Sequence, residues 1–413
     1  MYLGNSRVAL PNQFFDDEVD GTWLAVCATG SASGNYGPTG PYNTNTITGI
    51  GIKSMEIVGD YLFVAGNFSK TFNSTNIGST GSVSYIRISN ADTNDEWKQF
   101  FPSNRLDQGN IYYTSIRNIN GTHLLLGGLT GDGVDGWLSL YDVSGSSPTQ
   151  EGGNLHSPNF ITNISNTFTD ITLSTGATSA DAFCTFTTIF ESEGAVLFLF
   201  KYDNGNTSII KFPNHLGSTF GGVGTFSHYY DGGIMVFNQT SSSPNYYYKG
   251  SSATSFSNLQ LDTNEYYGSF SNKIDTATLY KGEEKAYITS SIFTPTIKEF
   301  EAPNILTNIT LQNVPSSPQK IYNFNYEGRD FLVVSDQYNQ DGQQKIYVYL
   351  IGENNIYKDL KFPETNGYIN AITVEPATGN IFVGGNFSFT DSLGRTALNV
   401  ARYVPSSGKF SNL

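Results

Sequence analysis

A nine-residue tract recurs near the two ends of this 413-residue chain. Residues 61–69 read Tyr-Leu-Phe-Val-Ala-Gly-Asn-Phe-Ser and residues 380–388 read Asn-Ile-Phe-Val-Gly-Gly-Asn-Phe-Ser, identical at six of nine positions. Each is followed by a second strand-like segment, Ser84-Tyr-Ile-Arg87 and Asn399-Val-Ala-Arg402. Self-similarity of this kind is the mark of an array, in which one supersecondary unit is repeated because it cannot bury its apolar face alone.

Gly66 and Gly385 lie 319 residues apart. Six steps across that distance are about 53 residues each, close to the ~50 of a kelch-type propeller blade. The intervening chain keeps the rhythm. Apolar strand-like runs such as Thr122-His-Leu-Leu-Leu-Gly-Gly128, Val196-Leu-Phe-Leu-Phe200, Gly233-Ile-Met-Val-Phe237 and Phe331-Leu-Val-Val334 alternate with turn clusters at Asn120-Gly121, Asp231-Gly-Gly233, Glu327-Gly328 and Thr378-Gly-Asn380. Units are read as starting near residues 50, 112, 165, 222, 272, 319 and 367. The expected fold is an all-β propeller of seven four-stranded blades over residues 50–413, with 1–49 as an N-terminal extension. A sandwich also predicts regular strands, but not the same tract at both ends. In the propeller reading Gly66 and Gly385 allow close backbone approach, and Phe68 and Phe387 pack between blades.

Residues 1–49 fall outside the repeat. Gly21-Thr-Trp-Leu-Ala-Val-Cys27 reads as a strand, and Gly30–Thr46 as a long Gly/Ser/Asn/Pro-rich loop. Two roles stand open: an arm that contacts neighbouring subunits, or a strand that closes the ring. The arm predicts that deleting 1–49 leaves a folded propeller that no longer assembles.

The two tracts, Phe-Val-Gly-Gly-Asn386-Phe-Ser with Asn399-Val-Ala-Arg402-Tyr, and Gly66-Asn67-Phe68 with Arg87, resemble the Gly-Gly-x-Phe propeller repeat of fungal cortical-marker proteins and of bacterial and phage surface proteins. The first and last units carry the motif and the middle five keep only the strand rhythm, so the resemblance covers about a quarter of the chain. It implies a fold and not an activity.

Composition narrows the function classes. With 36 acidic and 22 basic residues the net charge is −14, the reverse of a nucleic-acid footprint. Charged residues make up 14% and aromatics 14%, the opposite of a disordered chain. No apolar run reaches the ~18 residues of a membrane helix. Cys27 and Cys184 read as buried thiols, and two cysteines do not define a disulfide. The N-terminus has no signal-peptide core, and the eight Asn-x-Ser/Thr sequons are what an Asn/Ser/Thr-rich chain produces by chance.

The chemistry of an active site is sought and not found. Gly30-Ser-Ala-Ser-Gly34 places Ala where a nucleophile elbow needs Ser. His123, His156, His215 and His228 show no ligand spacing, and His123 reads as a core residue. Thr130-Gly-Asp-Gly-Val-Asp-Gly-Trp137 resembles the Asp-box turn of sialidase-like propellers with its Gly displaced, and seven scattered Arg argue against that activity. Asp336-Gln-Tyr-Asn-Gln-Asp341-Gly342 lacks the order and closing Glu of a calcium loop and reads as a polar hairpin. No catalytic, cofactor or metal residue is therefore assigned. Trp137, Tyr229, Tyr230, Tyr246, Tyr247 and Tyr248 are the aromatics available to stack on a glycan, although Tyr is equally ordinary in strands.

The polar-uncharged, aromatic, Gly-rich composition is that of virion and external surface proteins. The expectation is a non-enzymatic structural propeller of a virus particle, such as a phage tail component, assembled in the host cytoplasm as multiple copies and contacting other virion proteins. The alternative is a carbohydrate-binding adhesin on a tail fibre or cell surface. Neither reading requires a cofactor, direct nucleic-acid recognition or membrane insertion.

Overall fold

In a computed structural model of the chain, every regular element among the described residues is a strand. The structure describes most of residues 21–156 and 166–405. Residues 1–20, 41–50, 101–110, 157–165, 212–224, 239–245, 250–275 and 406–413, and shorter stretches at several turns, lie outside the described residues; between 151 and 286 only strand backbones are described.

Among the described residues the strands sort into seven sheets that follow one another along the chain, antiparallel throughout except for one parallel pairing in the seventh. The first runs Gly51–Val58, Tyr61–Asn67, Val83–Arg87 and Lys98–Phe100; the second Ile111–Ile119, His123–Thr130, Gly136–Asp142 and Thr149–His156. The third runs Asn166–Leu173, Ala180–Thr188, Ala195–Asp203 and Asn206–Lys211; the fourth Thr225–Tyr230, Gly233–Asn238 and Tyr246–Lys249. The fifth runs Thr276–Leu279, Lys285–Thr289, Ile297–Glu301 and Ile305–Asn308; the sixth Pro318–Tyr326, Arg329–Asp336, Lys345–Leu350 and Tyr357–Asp359. The seventh is built on Tyr368–Val374, Ile381–Thr390 and Arg395–Pro405. The first strand of each sheet touches the first strand of the next, and Tyr368–Val374 of the seventh touches Gly51–Val58 of the first. This cyclic contact makes the molecule a β-propeller. The first strands begin within four residues of the unit starts read from the sequence.

The seventh sheet is completed from the other end of the chain. Gly21–Ala25 pairs antiparallel with its last strand, from Gly21 opposite Pro405 to Ala25 opposite Ala401. Gly34–Thr39 then joins the same strand in parallel over Gly34–Tyr36, and its other edge pairs with Lys70–Ser74, which pairs with Asn76–Ser79. The latter two strands are an insertion within the first sheet, so this extension ties the first and seventh sheets together. Of residues 1–49, Gly21–Ala25 takes the place of a closing strand, paired within the seventh sheet.

The core sits between sheets. One cluster lies between the sixth and seventh, with Phe331, Val333, Val348, Ile381, Val383, Ala401 and Tyr403 buried together. Another lies between the seventh and first, where Ile52, Leu62, Val64 and Phe68 meet Phe382 and Val400. A third joins the first and second through Phe63, Tyr85, Phe100, Leu124 and Tyr141. Alternation along each strand supplies both faces, so a four-stranded sheet covered on both sides carries apolar residues at nearly every central position.

Candidate functional site

Among the described residues, two places concentrate polar side chains: the junction of the N-terminal segment with the seventh sheet, and the inner strands of the sixth, seventh, first and second sheets.

At the junction, Asp391 opens the turn Asp391-Ser-Leu-Gly394 that precedes Arg395. Its side chain is fully buried and Arg395 is 5% exposed. One carboxylate oxygen, Oδ1, accepts from the backbone N–H groups of Leu393 and Arg395, each at 2.9 Å. The other, Oδ2, accepts from Arg395 Nε at 2.9 Å and from the N–H of Ala25 at 3.1 Å. Burial pushes the Asp391 carboxyl up, but these hydrogen bonds and the Arg395 charge outweigh it, and the group lies below the ordinary carboxylate value. Two indoles fasten the same segment. Trp23 Nε1 donates to the carbonyl of Leu360 behind the sixth sheet at 2.7 Å, and its ring meets Phe362 edge-on and tilts against Tyr403. Trp97 Nε1 of the first sheet donates to the carbonyl of Val26 at 2.8 Å. Asn73 holds Trp97 in turn, accepting from its N–H and donating to its C=O.

Asn399 has φ +62°, in the left-handed region that Asn tolerates better than most side chains. Its Oδ1 accepts from the N–H of Phe387 and its Nδ2 donates to the carbonyl of Pro38, so one buried side chain links the repeat tract to Gly34–Thr39. Ser82, the equivalent position of the first sheet, also has positive φ (64°).

The repeat residues are placed as follows. A Cβ on Gly66 would lie 2.2 Å from the carbonyl oxygen of Gly51, and one on Gly385 would lie 1.9 Å from that of Tyr368. Both glycines face the bulge of the neighbouring inner strand, at Ile52/Ser54 and Ile369/Ala371. Phe68 is buried in the cluster between the seventh and first sheets, and Phe387 packs edge-on against Phe362. Asn67 is buried and Asn386 half-buried. The pairing of Arg87 with Arg402 needs correction. Phe63 lies opposite Tyr85, whereas Phe382 lies opposite Arg402, so Tyr85 occupies the Arg402 position. Arg87 lies two residues further on and forms a solvent-facing ion pair with Asp60 at 3.1 Å. Arg402 is largely enclosed, and burial lowers its guanidinium.

Tyr229 and Tyr230 end the inner strand of the fourth sheet, and Tyr246, Tyr247 and Tyr248 lie on its third strand, with Gly233–Asn238 between. The fold thus gathers all five on one sheet. Trp137 lies opposite Gly128 and His156 in the second. The side chains of these six lie outside the described residues, as do the turn at 131–135 and the loop at 337–343. Asp336, at the start of that loop, is buried and accepts from the N–H of Ser317. His123 is not a core residue: it is half-exposed at its strand start, 2.8 Å from Thr122 Oγ1. Cys27 is a free thiol, half-buried and pushed up by that burial; the side chain of Cys184 lies outside the described residues.

On the inner strands, polar side chains from the sixth, seventh, first and second sheets converge: Tyr322, Glu56 and Arg117 are half-buried and Thr373 is buried. Tyr322 is pushed up to about 12, mainly by burial and then by the charge of Glu56, while a hydrogen bond with Thr373 and the charge of Arg117 oppose the shift. Arg117 and Glu56 are 3.9 Å apart. Nearer the strand starts, Lys53 Nζ stands over the Tyr368 ring, 5.9 Å from its centroid. Burial and the Lys320 charge lower Lys53. Sequence reading missed this set because its members come from four different units. Asp391 had a local signal, Asp followed three residues later by Gly, the pattern of a type I turn.

No protein-family profile and no curated protein sequence match the chain. Among solved structures, the β-propeller domain of Cps50 (Swd1) from Myceliophteria thermophila is similar over 89% of this chain and 99% of that one, with TM-score 0.48 and 12% identity. The Dos1 propeller is similar over 88% and 95%, with TM-score 0.44 and 10% identity. A prolyl endopeptidase is similar over 86% of this chain and half of its own, with TM-score 0.49 and 10% identity.

Proposed function

We propose that the protein is a non-enzymatic, seven-bladed interaction propeller that serves as a structural component of a virus particle, such as a phage tail. The observation that carries the structural part is the closure. Asp391, Asn399 and Trp23 are buried polar groups joining the N-terminal segment to the last two sheets, Trp97 joins it to the first, and each is used to hold backbone. Side chains spent in this way favour a rigid ring that presents surfaces to partners. The particle assignment rests on the Gly-rich, Lys-poor composition and on the repeat resemblance. Partners would be other virion proteins and further copies of the chain. The test is a proteome of purified particles with copy number. Stoichiometric presence supports the reading, and absence from any particle sinks it. A glycan array with the monomeric protein separates the adhesin, which predicts saturable binding, from the structural part, which predicts none.

A further inference from the structure

The seventh sheet grows beyond the ring's own strands. From Arg395–Pro405 it continues through Gly34–Thr39, Lys70–Ser74 and Asn76–Ser79, and among the described residues nothing pairs with the far edge of Asn76–Ser79. The hairpin sets Asn73 opposite Asn76 across a two-residue turn, then Phe72 opposite Ile77, Thr71 opposite Gly78 and Lys70 opposite Ser79. The pair that flanks such a turn is hydrogen-bonded, and hydrogen-bonded pairs alternate with non-hydrogen-bonded ones along an antiparallel ladder. Asn76 and Gly78 therefore turn their N–H and C=O toward the hairpin, and Ile77 and Ser79 turn theirs outward. Edges of this kind are ordinarily guarded by charge or proline. The outer strands Lys98–Phe100, Thr149–His156, Asn206–Lys211 and Tyr357–Asp359 each carry a charged residue, and Ile305–Asn308 has Glu301 and Pro303 just before it. The stretch Thr71–Ile86, which contains the open edge, has neither charge nor proline.

We propose that this edge is a contact between two copies of the chain, in which Asn76–Ser79 of one copy pairs antiparallel with the same strand of the other. A twofold axis beside Gly78 sets Ile77 of each copy opposite Ser79 of the other, and the outward N–H and C=O groups of these residues then bond reciprocally. The two Gly78 residues face each other as a non-hydrogen-bonded pair, the closest approach in such a ladder, where no side chain stands in the way. An isologous contact uses one edge per copy, so it joins chains in pairs and does not propagate. The strand is short, so the free chain associates weakly, with a Kd on the order of 1 mM. Further contacts within an assembly raise the effective concentration. The pairing deepens the assembly part of the proposed function, on which it rests, and names the surface that performs it.

Disulfide trapping on the purified full chain tests this. Gly78→Cys places the two introduced thiols opposite each other within disulfide reach. Air oxidation should give a covalent dimer, and peptide mass spectrometry should locate the bond between the two copies of position 78, apart from Cys27 and Cys184. Lys98→Cys, exposed on the outer strand of the first sheet, is the collision control. It should crosslink roughly tenfold more slowly, because chance encounters supply a lower effective concentration than a docked pair. Adding Ile77→Pro to Gly78→Cys removes an outward N–H and leaves the hairpin's own bonds, so crosslinking should slow to the control rate. Adding Ser79→Lys, which guards the edge without altering the backbone, should slow it likewise. Sedimentation of the unsubstituted chain should show a monomer–dimer equilibrium as the concentration approaches the millimolar range. Crosslinking no faster than the control, a bond that maps elsewhere, or a chain that stays monomeric at millimolar concentration overturns the pairing. Presence in a particle does not enter these readouts, so failure of the pairing and failure of the virion reading are told apart.

Discussion

Asp391 accepts a hydrogen bond at 3.1 Å from the backbone N–H of Ala25, a residue 366 positions away in the chain. The same carboxylate holds Arg395 at 2.9 Å. One buried group thereby serves the turn that follows the second strand of the seventh sheet, the guanidinium of Arg395, and the strand that arrives from the opposite terminus. Asp391→Ala should destabilise the fold by about 3–5 kcal/mol, because it leaves a buried guanidinium without its partner. Removing both groups in an Asp391→Ala, Arg395→Met pair should recover part of that loss. A urea-unfolding double-mutant cycle checks both.

The same site sets an acid dependence. The folded-state value of Asp391 lies below its ordinary 3.8. Its stabilisation is therefore complete above the unfolded value and is lost as pH falls through the lower, folded one. The stability difference between wild type and Asp391→Asn should be flat above about pH 5 and shrink below pH 4. A difference that grows on acidification would reverse the assignment.

Gly66→Ala and Gly385→Ala should each cost about 3 kcal/mol or more, since the added methyl meets backbone carbonyls that cannot yield without moving the inner strand. Gly384→Ala is the contrasting case. Its methyl would meet the side chains of Met55 and Ile52 from the first sheet, at 2.5 and 2.7 Å. The flexible thioether can turn aside, so the cost should be smaller. Thermal unfolding of the three variants ranks them.

What the sequence disclosed follows from what is local. The repeat tract, the strand rhythm and the unit starts are short-range patterns, and they agree with the inner strands from Gly51 to Tyr368. The bulges opposite Gly66 and Gly385 and the offset between Arg87 and Tyr85 are register effects, which depend on which residue faces which across a sheet and leave no mark in either strand alone. Gly21–Ala25 was legible as a strand, but its partner lies at the far end of the chain. Glu56 and Arg117 are unremarkable within their own units and meet only once the first and second sheets pack together.

Trp23→Phe and Trp97→Phe should each weaken the closure. Each removes an indole donor and strands a carbonyl, of Leu360 or Val26, at a cost of about 1–3 kcal/mol beyond lost packing. The combined loss should fall short of the sum of the single losses if the closing segment detaches as one piece, because the second substitution then acts on a segment already released. Urea unfolding of the single and double variants measures the coupling. Additive behaviour would mean that the two indoles act on independent segments.

The central claim is that residues 21–27 are an integral closing element of the ring, and unfolding of a chain lacking residues 1–27 tests it most directly. Without Gly21–Ala25 the strand Arg395–Pro405 loses its antiparallel partner, Asp391 loses the Ala25 amide, and both indole acceptor contacts vanish. The closure predicts that the truncated chain unfolds at a much lower urea concentration, with a shallower transition and an expanded scattering radius, even before denaturant is added. A truncated chain that unfolds at the same midpoint, with the same slope, would contradict it and return residues 1–27 to the role of a dispensable arm.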